Sequence, residues 1–139
     1  MSRRALQLVN GLVALATLVL GSMQLALGVE SPLYAHAGLP ALPILDSNLR
    51  FFGGMGLALA LAMLWALPSI ERHATIVRIF WLCAVVGGVG RLVSAALVGS
   101  PSGLLVGVTI LEVIGAPLIV HWHQRVAMAA RRDSRGARP

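Results

Sequence analysis

The sequence predicts an all-α fold, a four-helix transmembrane bundle, on three observations. Hydrophobic residues fill 58% of the 139 positions and charged residues only 12%, about half the charged share of a soluble domain. Mean hydropathy is +0.85. Four apolar stretches each reach the roughly 20 residues that a helix needs to cross a bilayer core.

The first span is expected at about 5–28, "ALQLVNGLVALATLVLGSMQLALG". Arg3 and Arg4 precede it, as in a signal peptide, but its apolar run exceeds the roughly 7–15 residues of a signal core. The second is expected at about 48–67, with Asp46 and Ser47 as candidate caps. The third covers about 75–98 and the fourth about 103–124. Pro117 lies inside the fourth and should kink it near 113–117, because proline lacks the amide hydrogen a helix uses there. Between the first two spans, "VESPLYAHAGLPALPILDS" reads as an irregular connector, or else a segment capping the outer face. Residues 1–128 thus form one four-span membrane domain, and 129–139 a basic disordered tail.

All eleven Lys/Arg positions are arginine, and against five acidic residues they give a formal net charge of +6. A nucleic-acid reading fails because these residues do not share one soluble face. Arg3 and Arg4, then Arg72 and Arg78, then Arg125, Arg131, Arg132, Arg135 and Arg138 alternate with an outer loop that carries Glu30 and Asp46 but no arginine. Positive loops stay in the cytoplasm, so both termini are expected there, in a bacterial inner membrane. Trp65, Trp81 and Trp122 fall at the same ends, like an aromatic belt. The basic tail can touch membrane lipids.

Several signals weigh toward plain structure. Cys83, the only cysteine, excludes an intrachain disulfide and reads as a small packing residue. In "HWH" at 121–123 the two histidines point in different directions on a helix, so an interfacial role outweighs a metal site. His121 and Arg125, one turn apart, suit a helix C-terminus. His36 and His73 read as solvated loop residues. "GGMG" at 53–56 lacks the strand and lysine of a phosphate loop. Ser94 and Ser100 have no histidine at their depth, as a catalytic triad would require. No cofactor and no metal are expected.

The informative residues are charges within the spans. Intramembrane charges usually face the protein interior and find partners. At 1.5 Å per residue, Arg50 lies about 5 Å, Arg91 about 10 Å and Glu112 about 13 Å from the outer ends of their helices. Arginine reach makes these depths overlap. The flanking residues are small: Gly87, Gly88, Ser94 and Ala95 around Arg91; Thr109, Gly115 and Ala116 around Glu112, with a Gly103/Gly107 pair above; and the row Gly54, Ala58, Ala62, Ala66 below Arg50. Small faces let membrane helices approach closely. Glu112 is therefore expected as the counter-ion, bridged by Arg91 and Arg50. Asp46 can pair with Arg50 at i, i+4. Gln24 at the outer level and Asn10 nearer the cytoplasm add hydrogen-bonding groups. Such a cluster either fixes helix order or forms a ligand site.

Four motifs in order carry a resemblance: "VNGLVAL", "DSNLRFFGGMGLALALAMLW", "GGVGRLVSAALVGSPS" and "LLVGVTILEVIGAPLIV". They cover nearly the whole chain. The sequence resembles the bacterial family called domain of unknown function 4345, whose charged positions match Arg50, Arg91 and Glu112. The resemblance implies a four-helix membrane protein and no particular activity.

Three function classes follow. The first is a binding protein whose outward polar pocket, around Arg50, Arg91, Glu112, Asp46 and Gln24, holds a lipid or another apolar or anionic ligand. The second is a structural or assembly subunit, as a homo-oligomer or with a membrane-protein partner. The third, a small enzyme, ranks last, because a carboxylate held charged by arginines is a weak base.

Overall fold

The computed structural model describes residues 2–35, 37–99 and 102–136, with side chains described up to Arg132. His36, Ser100 and Pro101 lie outside the described residues, as do 137–139. The architecture is all-α: α1 (Arg3–Leu27), α2 (Pro43–Ala66), α3 (Ala74–Leu97), α4 (Gly103–Ile110) and α5 (Ala116–Gly136). A π-helical turn, Leu111–Gly115, joins α4 to α5 without interruption. Among the described residues, four helical segments are therefore long and apolar enough to cross a membrane: Arg3–Glu30, Pro43–Ser69, Ala74–Leu97 and Gly103–Arg132.

Their surfaces carry the same message. Only 17–22% of each span's most apolar window is buried, and large residues such as Leu12, Phe51, Leu82 and Leu118 stand outward. In water such continuous apolar surface would drive association. In lipid it is solvated, and the intrahelical ladder satisfies the backbone. Thr17 and Thr109 use the same solution, each hydroxyl donating to the carbonyl four residues earlier at 2.9 Å. The chain is a multi-pass membrane protein.

The helices group into two compact units. One comprises residues 8–67, with most of α1 and all of α2; the other joins the first turn of α1 to everything from Pro68 onward.

In the α1–α2 unit the helices meet backbone to backbone. A Cβ on Gly21 would lie 2.8 Å from the Leu57 nitrogen, and one on Gly53 would lie 2.5 Å from the Leu25 nitrogen. Only glycine fits at either place. The packed face of α2 carries Gly53, Ala60, Met63 and Ala66, all buried. The expected row was Gly54, Ala58, Ala62 and Ala66, yet Ala58 is exposed. The true stripe is rotated by about one residue, because the Gly21–Gly53 contact sets the rotation of the helix. Nor does α2 begin near 48: it starts at Pro43, and Leu42 is its N-cap. Proline suits a first helical position, where its missing amide hydrogen is not needed. The connector holds two short 3₁₀ turns, Gly28–Glu30 and Pro32–Tyr34.

In the second unit α3 packs along α5, with Val77, Phe80 and Trp81 buried. Trp81, expected in an aromatic belt, is instead a core residue at 1% exposure, edge-to-face with Phe80. Trp65 stands outward at 67%. Cys83 is exposed rather than packed. His73 is half-buried and has an interaction partner, unlike a solvated loop residue. His123 is fully buried, and its Nε2 meets the Ile70 carbonyl at 2.7 Å. Arg3 donates to Glu71 at 3.0 Å and to the Pro68 carbonyl at 2.6 Å, closing the helical start of the chain onto the α3 approach. Residues 129–136, expected in a disordered tail, continue α5 to Gly136.

Candidate functional site

The charged residues singled out from the sequence form two ion pairs of different character. The first belongs to the α1–α2 unit. Helix α1 ends at Leu27, leaving its last carbonyls without intrahelical donors. Gly28 follows with φ +57°, the left-handed conformation that commonly ends helices and favours glycine. The turn brings the Val29 amide to Asp46 Oδ1, donating at 3.0 Å. Asp46 Oδ2 accepts from Arg50 Nε at 2.7 Å. Arg50 Nη1 then donates to the carbonyls of Leu25 at 3.1 Å and Ala26 at 2.6 Å. A guanidinium over a helix C-terminus satisfies orphan carbonyls and complements the dipole. A Cβ on Gly28 would collide with the Asp46 carboxylate, so glycine is required by shape as well as by φ. One turn earlier, Gln24 Nε2 donates to the Tyr34 hydroxyl at 2.6 Å, tying the connector to α1. Asp46 and Arg50 therefore act as a clasp that caps α1 and anchors the start of α2.

Beside this clasp is a pocket of about 300 Å³, whose charged lining is Glu30, Asp46 and Arg50. Two carboxylates face one guanidinium, so its net charge is negative. The surplus cation that would favour an anion here does not exist.

The second pair belongs to the other unit. Pro117 has no amide hydrogen, and in a regular helix its ring would press on the carbonyl of Val113. The chain widens its turn instead: the Ala116 amide reaches back five residues to the Leu111 carbonyl. The expected disturbance at 113–117 thus takes the form of a π-turn over 111–115, and Glu112 rides on it. Such insertions recur at functional sites. The turn lies against Gly88 of α3, where a Cβ would stand 2.9 Å from Glu112 Cβ and 2.8 Å from Val113 Cγ2. Arg91, three residues on and hence on the same face, donates from Nε to Glu112 Oε2 at 3.1 Å.

This pair is open. The Arg91 side chain is 43% exposed and that of Glu112 19%. Among the described residues, Nε to Oε2 is their one hydrogen bond, so both terminal nitrogens of Arg91 and Oε1 of Glu112 have no protein partner. Nearby glycines are also uncovered: a Cβ on Gly87, Gly90, Gly103 or Gly107 would meet nothing within 4 Å. Of the two glycines expected to pack around Arg91, Gly88 makes a close approach and Gly87 does not. Glu112 thus pairs with Arg91, whereas Arg50, expected to share Glu112, is held by Asp46 and two carbonyls of its own unit. Asn10 is fully buried. Among the described residues no group of three histidine, cysteine or acidic side chains could hold a metal. His121 accepts from Arg125 Nε at 3.1 Å, a surface contact one turn apart.

Sequence reasoning missed the Arg3–Glu71 pair and the burial of His123. Glu71 was visible as the acid beside Arg72 in a short loop. Burial of His123 carries no local signal, because it depends on the chain at Ile70 crossing over α5.

The family model described as "Domain of unknown function (DUF4345)" matches residues 5–123. That range includes both pairs and the π-turn. No curated protein and no solved structure matches the chain.

Proposed function

The chain belongs to the DUF4345 family, and on that premise we propose that it is a membrane-embedded binding protein that receives the polar head of an otherwise apolar molecule at Arg91 and Glu112. It sits in a bacterial inner membrane with both termini cytoplasmic, which puts this pair in the outer half of the bilayer. The observation that supports this reading is the unspent hydrogen-bonding capacity of Arg91. A guanidinium within an apolar span is costly unless its donors are satisfied, at least about 2.5 kcal/mol on insertion scales. Among the described residues, one nitrogen of three is used. A carboxylate or phosphate offers two acceptors in the geometry of the free fork, and the acyl part of a lipid would lie along the neighbouring apolar surface. The Asp46–Arg50 clasp then has a structural role only.

A second reading has its own support. The uncovered Gly87, Gly90, Gly103 and Gly107 would let another membrane helix approach closely and bring an acceptor to Arg91, as expected of an assembly subunit. Native mass spectrometry from mild detergent separates the two, since it reports bound lipid and subunit number together. The binding reading expects a monomer carrying a lipid-sized mass that Glu112→Gln or Arg91→Gln removes without loss of folded yield. A lipid-free oligomer that the same variants dissociate would replace it with the assembly reading.

A further inference from the structure

We infer that the arginine-rich end of the α3–α5 unit holds a separate site, for a phosphate group with a neighbouring hydroxyl, as in a phosphoglycerol head. It is a pocket of about 260 Å³ whose polar lining is Arg78 of α3 and His123, Gln124 and Arg131 of α5, with Ala127 and Met128 among its apolar walls. Nothing in this inference depends on Arg91. Arg78 lies thirteen residues before it in sequence, about 20 Å along the helix axis.

Charge selects the phosphate. Two arginines and no acidic residue line the pocket, and the planar guanidinium fork matches phosphate oxygens. Arg78 is exposed and makes no ion pair among the described residues. Gln124 selects the hydroxyl. Its side chain is half-buried at the same wall, and its amide oxygen accepts a hydrogen bond that a hydroxyl beside the phosphate can donate. A phosphodiester oxygen cannot donate, and an ammonium group would be repelled by the two guanidiniums. His123 is fixed beside them, fully buried, with Nε2 donating to the Ile70 carbonyl at 2.7 Å.

Location points to the same chemistry. The pocket lies at the end of two apolar spans, beside Met128, at the level where lipid phosphates meet basic side chains. A soluble glycerol phosphate carries the same groups, so the test includes both sources.

The full-length protein in a neutral detergent is titrated with short-chain phosphatidylglycerol, phosphatidylcholine of equal chain length, and glycerol 3-phosphate. Melting temperature and native mass spectra are recorded. Phosphatidylglycerol should raise the melting temperature and remain bound, while phosphatidylcholine should do neither. Arg78→Gln should weaken that binding about tenfold, the equivalent of one charge-assisted contact. Arg132→Gln, the same charge change outside the pocket, should leave it intact. Arg131→Gln serves as the second variant, with the same expected loss, should Arg78→Gln give no folded protein. Glycerol 3-phosphate binding as tightly as the lipid also supports the site and makes its ligand a soluble one. The inference is overturned if neither phosphate compound binds, if phosphatidylcholine binds equally, or if Arg132→Gln weakens binding as much as the pocket variants.

Discussion

The two ion pairs contain the same chemistry and do opposite things. In the α1–α2 unit, Asp46 and Arg50 spend their hydrogen bonds on each other and on the backbone of a helix end. In the α3–α5 unit, Arg91 and Glu112 share one hydrogen bond and leave the rest of their capacity unused. What differs is the backbone beside them. A helix terminus supplies carbonyls and an amide, and the first pair closes on those. Arg91 lies inside α3, where the backbone groups are used in the helix's own ladder, so it has no helix end to close on. Whether a membrane arginine is structural or available is therefore decided by the neighbouring backbone more than by the identity of its counter-ion.

The comparison can be tested by substitutions of decreasing effect on stability. The largest is expected at Gly53→Leu, where even the first side-chain atom meets the Leu25 backbone. Overpacking of that kind costs about 3 kcal/mol or more when backbone must move, so little folded protein should survive extraction, as read by size-exclusion chromatography. Gly28→Ala comes next. It places a side chain at φ +57° and against Asp46, and should cost about 2 kcal/mol, measured by thermal unfolding in detergent. Arg50→Gln should follow, with a smaller drop in melting temperature, because the clasp is partly solvent-exposed and such pairs are screened. Arg91→Gln should have the smallest effect on stability, since it removes one exposed hydrogen bond.

Much of this was legible beforehand, and the reasons can be traced to particular residues. Hydropathy located four spans because length and apolarity suffice to define a membrane helix. The depth count paired Arg91 with Glu112 because helical rise is regular from the outer ends inward. The i, i+4 spacing exposed Asp46 and Arg50. What could not be read was helix rotation and termination. The α2 stripe was misplaced by one residue because several small residues offered equally good faces, and only the Gly21 contact chooses among them. The destination of Arg50 was missed because it depends on where α1 stops, a choice made jointly by Gly28 and Asp46, eighteen positions apart in the chain. Cys83 and Trp81 lie close together on α3, and apolar flanks on both sides hid which of them faces the core.

Whether one pair is closed and structural while the other is open and available is read out by comparing Arg50→Gln and Arg91→Gln under identical conditions, with melting temperature and bound lipid-sized mass recorded for each. Arg50→Gln should lower the melting temperature and keep every bound lipid, while Arg91→Gln should keep the melting temperature and lose one lipid-sized mass, the one that Arg78→Gln leaves in place. The opposite pattern, or equal losses of both in the two variants, would contradict that division of roles.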